Sequence, residues 1–164
     1  MSRVLRVGPE DWAAAREVRL AALVDSPDAF FSTHQAEVAQ PEAFWRGRAA
    51  DADAATSLWL DDDDRPRGMM TVIPHHADPS DGLLVAVWVD PDVRGRGAAD
   101  ELLDACTRAA RGVGYGRLVL EVSDQNPRAI AFYRRAGFTP TGRTSRFPAP
   151  RAHITEQELA LDLR

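Results

Sequence analysis

Between residues 94 and 97 the chain reads Arg-Gly-Arg-Gly, just after a strand stop at Asp90-Pro91 and just before a segment with helical apolar spacing. These residue types suit an anion. A helix start carries backbone N–H groups without intrahelical partners and the positive end of the peptide dipole, so it attracts phosphate. Gly95 and Gly97 let a ligand approach the main chain closely, and Arg94 and Arg96 bring guanidinium charge beside it. Two other clusters tempt a metal reading and fail it. His75-His76 with Asp78 and Asp81 lacks a third well-spaced zinc ligand, and Asp61 to Asp64 lacks the spaced ligands and the glycine of a calcium loop. No metal is expected.

The glycine turn has to be held by a strand and a helix. Leu83 to Val89 is apolar without polar alternation, the pattern of a central strand covered on both faces. After the turn, Leu102, Leu103, Cys106, Ala109, Ala110 and Val113 recur at helical spacing. Elsewhere, Val4 to Val7 reads as a first strand, and a helix from Trp12 ends where Asp25-Ser26 meets Pro27. An aromatic loop, 27–33, leads to a second helix from Pro41 to Ala50. Thr56 to Leu60 and Gly68 to Ile73 form a hairpin, and Arg117 to Val122 is a further strand. Asn126 to Arg135 is a short helix, with Pro127 in its first turn and Gly137 just past its end. Phe138 to Gly142 and His153 to Leu163 complete the strands.

Two common phosphate-binding templates do not fit the turn. A Walker loop needs Lys after its last glycine, but Ala98-Ala99 follow Gly97 and the chain has no lysine. A dinucleotide fingerprint needs a third glycine where Asp100 stands. Arg94 to Ala99 instead resembles the [QR]-x-x-G-x-[GA] acyl-coenzyme A motif of the GNAT N-acetyltransferase superfamily. Asn126 to Phe138 is similar to that family's N-x-x-A-x-x-x-Y-x-x-x-G-F segment, and it follows in the expected order.

The resemblance implies an α/β (α+β) fold in one domain, residues 1–164, with a mixed sheet of about six to seven strands splayed at its centre and about four flanking helices. It implies acetyl-CoA as co-substrate and no metal. The pantetheine arm would bond to the main chain of Val87 and Val89. The diphosphate would sit on Arg94 to Ala99, chiefly on the N–H groups of Gly95, Gly97, Ala98 and Ala99. Asn126, Ala129 and Tyr133 are the matching cofactor positions of the second motif, and the Tyr133 phenol would protonate the departing thiolate. Phe30, Phe31 and Arg19 match the acceptor wall, with Arg19 either facing a substrate carboxylate or ion-paired. The central strand lacks the acid that many relatives carry there. Glu121 on the next strand is therefore the candidate base through water, with Asp81 and His75 as alternatives at the rim. Asp100 and Glu101 also depart from the residues usual after the glycines, and Asp100 is expected to point away from phosphate.

The activity implied is direct transfer of acetyl to a primary amine of a small molecule in a ternary complex, with a peptide or protein amino terminus less favoured. A non-catalytic acyl-CoA sensor is the alternative from another class. An RNA-linked amino acceptor is disfavoured by the net charge of -5, as is any nucleic-acid partner. No apolar run reaches membrane-span length and the amino terminus lacks a secretory stretch, so no membrane partner and a cytoplasmic location are expected. All 20 basic residues are Arg, a bias that suggests a GC-rich bacterial genome. Neither the acceptor nor the choice between monomer and homodimer follows from these residues.

Overall fold

Strand β2 (Ala55–Leu60) shows how alternation sorts the two faces of the sheet. Trp59 points into the cluster under helix α4 (Ala98–Val113), whereas Leu58 and Leu60 join the cluster under helix α1 (Trp12–Asp25). The computed structural model describes residues 1–164. Its further elements are β1 (Arg3–Arg6), α2 (His34–Val38), α3 (Glu42–Ala49), β3 (Pro66–Pro74), β4 (Gly82–Val89), β5 (Arg117–Ser123), α5 (Pro127–Arg135), β6 (Thr139–Arg146) and β7 (Thr155–Asp162).

Seven strands form one mixed sheet in the order β1-β2-β3-β4-β5-β7-β6. Only β4 and β5 run parallel, and α4 is the crossover that such a pair requires. The stripe Leu102, Cys106 and Ala110 of α4 is wholly buried against the sheet. Burying a side chain of the size of Leu102 contributes roughly 1.5–3 kcal/mol. Glycine in the left-handed region at both ends, Gly97 (φ 83°) and Gly114 (φ 94°), starts and stops this helix. No helix is long and apolar enough to cross a membrane.

Two elements depart from the sequence reading. The aromatic loop does not run directly to α3: the five-residue α2 intervenes, capped by Thr33, whose hydroxyl accepts from the Ala36 N–H at 3.2 Å. Strand β6 continues past Gly142 to Arg146, with an irregularity between Pro140 and Thr144. As an edge strand it pairs with β7 alone, so its polar residues stay in water.

Candidate active site

The parallel partners β4 and β5 bond only where Gly82 to Leu84 face Leu118 to Leu120. Beyond Leu84 they part, and the cause is local to β4. Ala86 takes φ 54°, a left-handed backbone rarely adopted by a residue with a Cβ, and Ala86 and Val87 together oppose the single Met70 of β3. This bulge turns the rest of β4 away from β5, which continues on β7 as far as Ser123. Main-chain groups of Val85 to Val89 are thereby left without a partner on β5. Strain of this kind in mid-strand collects at ligand clefts.

The parting opens a cavity of about 680 Å³. Val87, Glu121, Asn126, Ala129 and Tyr133 line it at the gap, and Arg19, Phe30, Phe31 and Trp45 line it on the α1 side. Val87, Asn126, Ala129 and Tyr133 thus meet in one space with Glu121, whereas Val89 does not line it and the glycine turn lies outside it.

The glycine turn lies at the far end of β4 and is open. Gly95 and Gly97 both have φ 83°, and a Cβ built on either would meet nothing within 4 Å. No side chain caps the start of α4, so its first N–H donors are free, and a diphosphate fits there. The two arginines differ. Arg94 folds back, its Nε donating to the Val89 carbonyl at 3.0 Å and a terminal nitrogen reaching Asp25 at 3.4 Å. Hydrogen bonds from Trp88 and Ser26, aided by the Arg94 charge, hold the Asp25 carboxyl below its usual range. Arg96 is exposed beside the turn. Glu101 is engaged by the sheet, its Oε2 accepting from the Trp59 indole at 2.8 Å, while Asp100 is exposed.

Tyr133 is 5% exposed, and burial pushes its phenol above the ordinary value. Its ring packs edge-on to Phe138, 5.7 Å between centroids. Asn126 spends its side-chain oxygen on capping α5, accepting from the Ala129 N–H at 3.2 Å.

Among the acids, Asp81 is taken out of contention: it is buried and bridged by Arg117 at 2.8 and 3.1 Å, and it lines neither cavity described here. Glu121 lines the cavity without being sealed. The sequence reading missed Glu156. The register Ser123↔Glu156 places it on the same sheet face as Glu121, two residues along β7 from Glu158. Glu156 is 8% exposed, lines the cavity, and its Oε1 has no hydrogen-bond partner. Burial, then the neighbouring Glu121 and Asp124 carboxylates, push it up to about 7.

On the acceptor side Phe30 is core, whereas Phe31 is 60% exposed at the lip and packs at a tilt of 50° against Phe147, 4.6 Å between centroids. Arg19 is ion-paired: it grips Glu37 with two hydrogen bonds, 3.0 and 2.8 Å, beneath the Phe30 ring. Arg48 reaches the same carboxylate at 2.9 Å. Burial works to raise Glu37, but hydrogen bonds from Arg19, Ser32 and Arg48 outweigh it and hold the carboxyl at about 2. A strap that no sequence signal marks ties down the aromatic loop. Arg151 donates to the carbonyls of Pro27, Phe30 and Phe31 at 3.1, 2.7 and 2.7 Å, joining the loop after α1 to the loop before β7.

Bulge, parted strands and open glycine turn together leave a cleft beside β4 and uncapped helix N–H groups at its far end. The chain belongs to the Acetyltransferase (GNAT) family, whose sequence model matches residues 19–138. This is a family of acyltransferases that use acetyl-CoA as co-substrate. The chain is similar to peptidyl-lysine N-acetyltransferase YjaB of Salmonella typhimurium, 36% identical over 89 residues, 53% of each chain. It is also similar to mycothiol acetyltransferase of Beutenbergia cavernae, 32% identical over 97 residues, 57% of this chain and 32% of that one. The chain thus spans about half or less of the length of these relatives. Among solved structures, an N-acetyltransferase from Staphylococcus aureus Mu50 shares the fold with a TM-score of 0.76 at 19% identity, covering 100% of this chain and 99% of that one. Nourseothricin acetyltransferase aligns over 70% of this chain and 68% of its own, with 27% identity and a TM-score of 0.63.

Proposed function

We propose that this chain transfers the acetyl group of acetyl-CoA to a primary amine of a small molecule by direct attack in a ternary complex. One observation carries the reading: the cavity opened by the Ala86 bulge brings a buried phenol and a buried, unpartnered carboxylate into one wall system. The N–H groups of Gly95, Gly97, Ala98 and Ala99 hold the diphosphate, with Arg96 beside them. The main chain of Val87 and Val89 holds the pantetheine arm, and Asn126 and Ala129 border it.

The chemistry then balances. The amine nitrogen forms a bond to the thioester carbonyl carbon, the carbon–sulfur bond breaks, and the sulfur leaves with the electron pair. Glu156, more than Glu121, takes the amine proton, because a carboxyl near 7 is matched to a working pH near neutrality. Tyr133 donates to the developing thiolate. Phe31 and Phe147, 4.6 Å between centroids, line a cavity of about 680 Å³, a size that suits a small molecule.

The test is thiol release from acetyl-CoA over a panel of small primary amines and lysine-containing peptides. Release matched by acetylated small amine supports the reading. Release with peptides alone moves the acceptor to the class named for the YjaB relatives, and tight acetyl-CoA binding with no release leaves the sensor reading. A narrower expectation concerns the turn. Asp100→Ala removes an exposed negative charge next to the diphosphate site, so acetyl-CoA affinity by calorimetry stays unchanged or tightens slightly. A clear loss of affinity would overturn this placement of the diphosphate.

A further inference from the structure

Phe31 and Phe147, both in the cavity wall, come from loops far apart in the chain: residues 26–33 between α1 and α2, and residues 147–154 between β6 and β7. The second loop is closed on itself. The main-chain N–H groups of Phe147, Arg151 and Ile154 donate to the carbonyls of Ile154, Pro148 and Arg151 at 3.0, 2.9 and 3.0 Å, and the side chains of Phe147 and Ile154 are buried. The first loop has no such frame at its aromatic pair. The carbonyls of Phe30 and Phe31 take no main-chain hydrogen bond, and the Phe31 ring stands largely in water with Phe147 as its aromatic neighbour.

Arg151 connects the two. Its guanidinium lies 4.9 Å over the Phe147 ring, while its nitrogens donate to the Phe30 and Phe31 carbonyls at 2.7 Å each and to that of Pro27 at 3.1 Å. Stacking by its face and donating from its edge is what a planar guanidinium does and an ammonium does not. Arg151 does not line the cavity, and its side-chain hydrogen bonds all end on main-chain carbonyls. It therefore acts on the cavity through other residues. We infer that Arg151 is a positioning residue for the acceptor: it sets Phe31 against Phe147 before the amine arrives, so that affinity for the amine, and not for acetyl-CoA, depends on it. This rests on the acetyl-transfer reading above and adds what holds the acceptor half of the cavity in shape. A loop already ordered removes the entropy cost of ordering it when the amine binds. None of the three bonds reaches β4, the glycine turn or α5, where that reading places the carrier.

The experiment measures both substrates on Arg151→Lys, which keeps the charge and loses the fork, and on Arg151→Ala. With the best amine of the panel, KM for the amine is expected to rise about tenfold or more, the effect of losing one or two charge-assisted hydrogen bonds. The dissociation constant of acetyl-CoA stays that of the parent protein, and kcat at saturating amine is retained. Ethylguanidinium added to Arg151→Ala is expected to restore the amine KM, a rescue that general damage to the fold would not show. An amine KM unchanged in Arg151→Lys overturns the inference. So does an equal loss of affinity for both substrates. Should the parent protein acetylate no amine, the transfer reading fails separately, and the strap is then read from hydrogen exchange at the Phe31 and Ser32 amides. Faster exchange there in Arg151→Lys, with the amides of α4 unchanged, supports the positioning role, and an unchanged rate overturns it.

Discussion

Tyr133→Phe is expected to lower kcat by about a hundredfold while the KM for acetyl-CoA stays near that of the parent protein. The phenol is assigned a donor role towards sulfur that strengthens as negative charge develops, and a donor of that kind is worth about 10²–10³ in kcat when removed. In the proposed complex the carrier is held by main-chain groups of β4 and α4, which the substitution does not touch. Burial raises the phenol above its ordinary range, so it remains neutral at every pH where the protein works. The deficit is therefore expected to be constant across pH, unlike the loss of a titrating base. Phe retains the packing against Phe138 within the same core cluster. A thermal midpoint equal to or above that of the parent protein would separate a chemical defect from a structural one. Full turnover by Tyr133→Phe across pH would remove the donor role.

How much of this arrangement could be read from the chain varied with the range of the interactions. Leu83 to Val89, the glycine turn and the apolar stripe of α4 follow from local spacing, and they lie where local spacing put them. The bulge at Ala86 has no local signal, because the strand is apolar throughout and carries neither glycine nor proline at that point; only the family resemblance, which implies a bulged and splayed central strand, anticipates it. Arg94 looked like a phosphate ligand until the fold brought Asp25, at the end of α1, within 3.4 Å of it. Arg151 gave no signal either, since its three carbonyl partners lie in a loop near the other end of the chain. Glu156 sits in the polar run Thr155-Glu156-Gln157-Glu158, where any of the acids looked like an exposed strand residue. Its exclusion from water depends on the register with Ser123, a pairing between strands that no local pattern encodes.

Glu156→Gln is expected to reduce kcat/KM for the amine by about 10²–10⁴ and to change the shape of its pH profile. In the parent protein the carboxyl has to lose its proton before it can accept one, so activity should climb through about pH 7 and then level off. Gln cannot accept the proton, and the residual rate should instead follow the free-amine fraction of the acceptor, with no step near neutrality. Stability moves the other way. The folded carboxyl titrates at about 7 against an ordinary value of 4.5, so between these values the native state binds a proton that the unfolded chain has released. Stability contributed by the protonated form is thus present at low pH and is lost as pH rises towards 7, a change on the order of 1–3 kcal/mol. Above pH 7 the parent protein holds a buried carboxylate beside Glu121 and Asp124, and Gln relieves that repulsion. The variant should consequently melt higher than the parent at alkaline pH and lose most of that advantage below pH 5. A variant that is both slower and more stable at alkaline pH would identify Glu156 as a charge kept for chemistry at the expense of the fold. An unchanged pH–rate profile would return the role to Glu121 or to an acceptor that arrives already neutral.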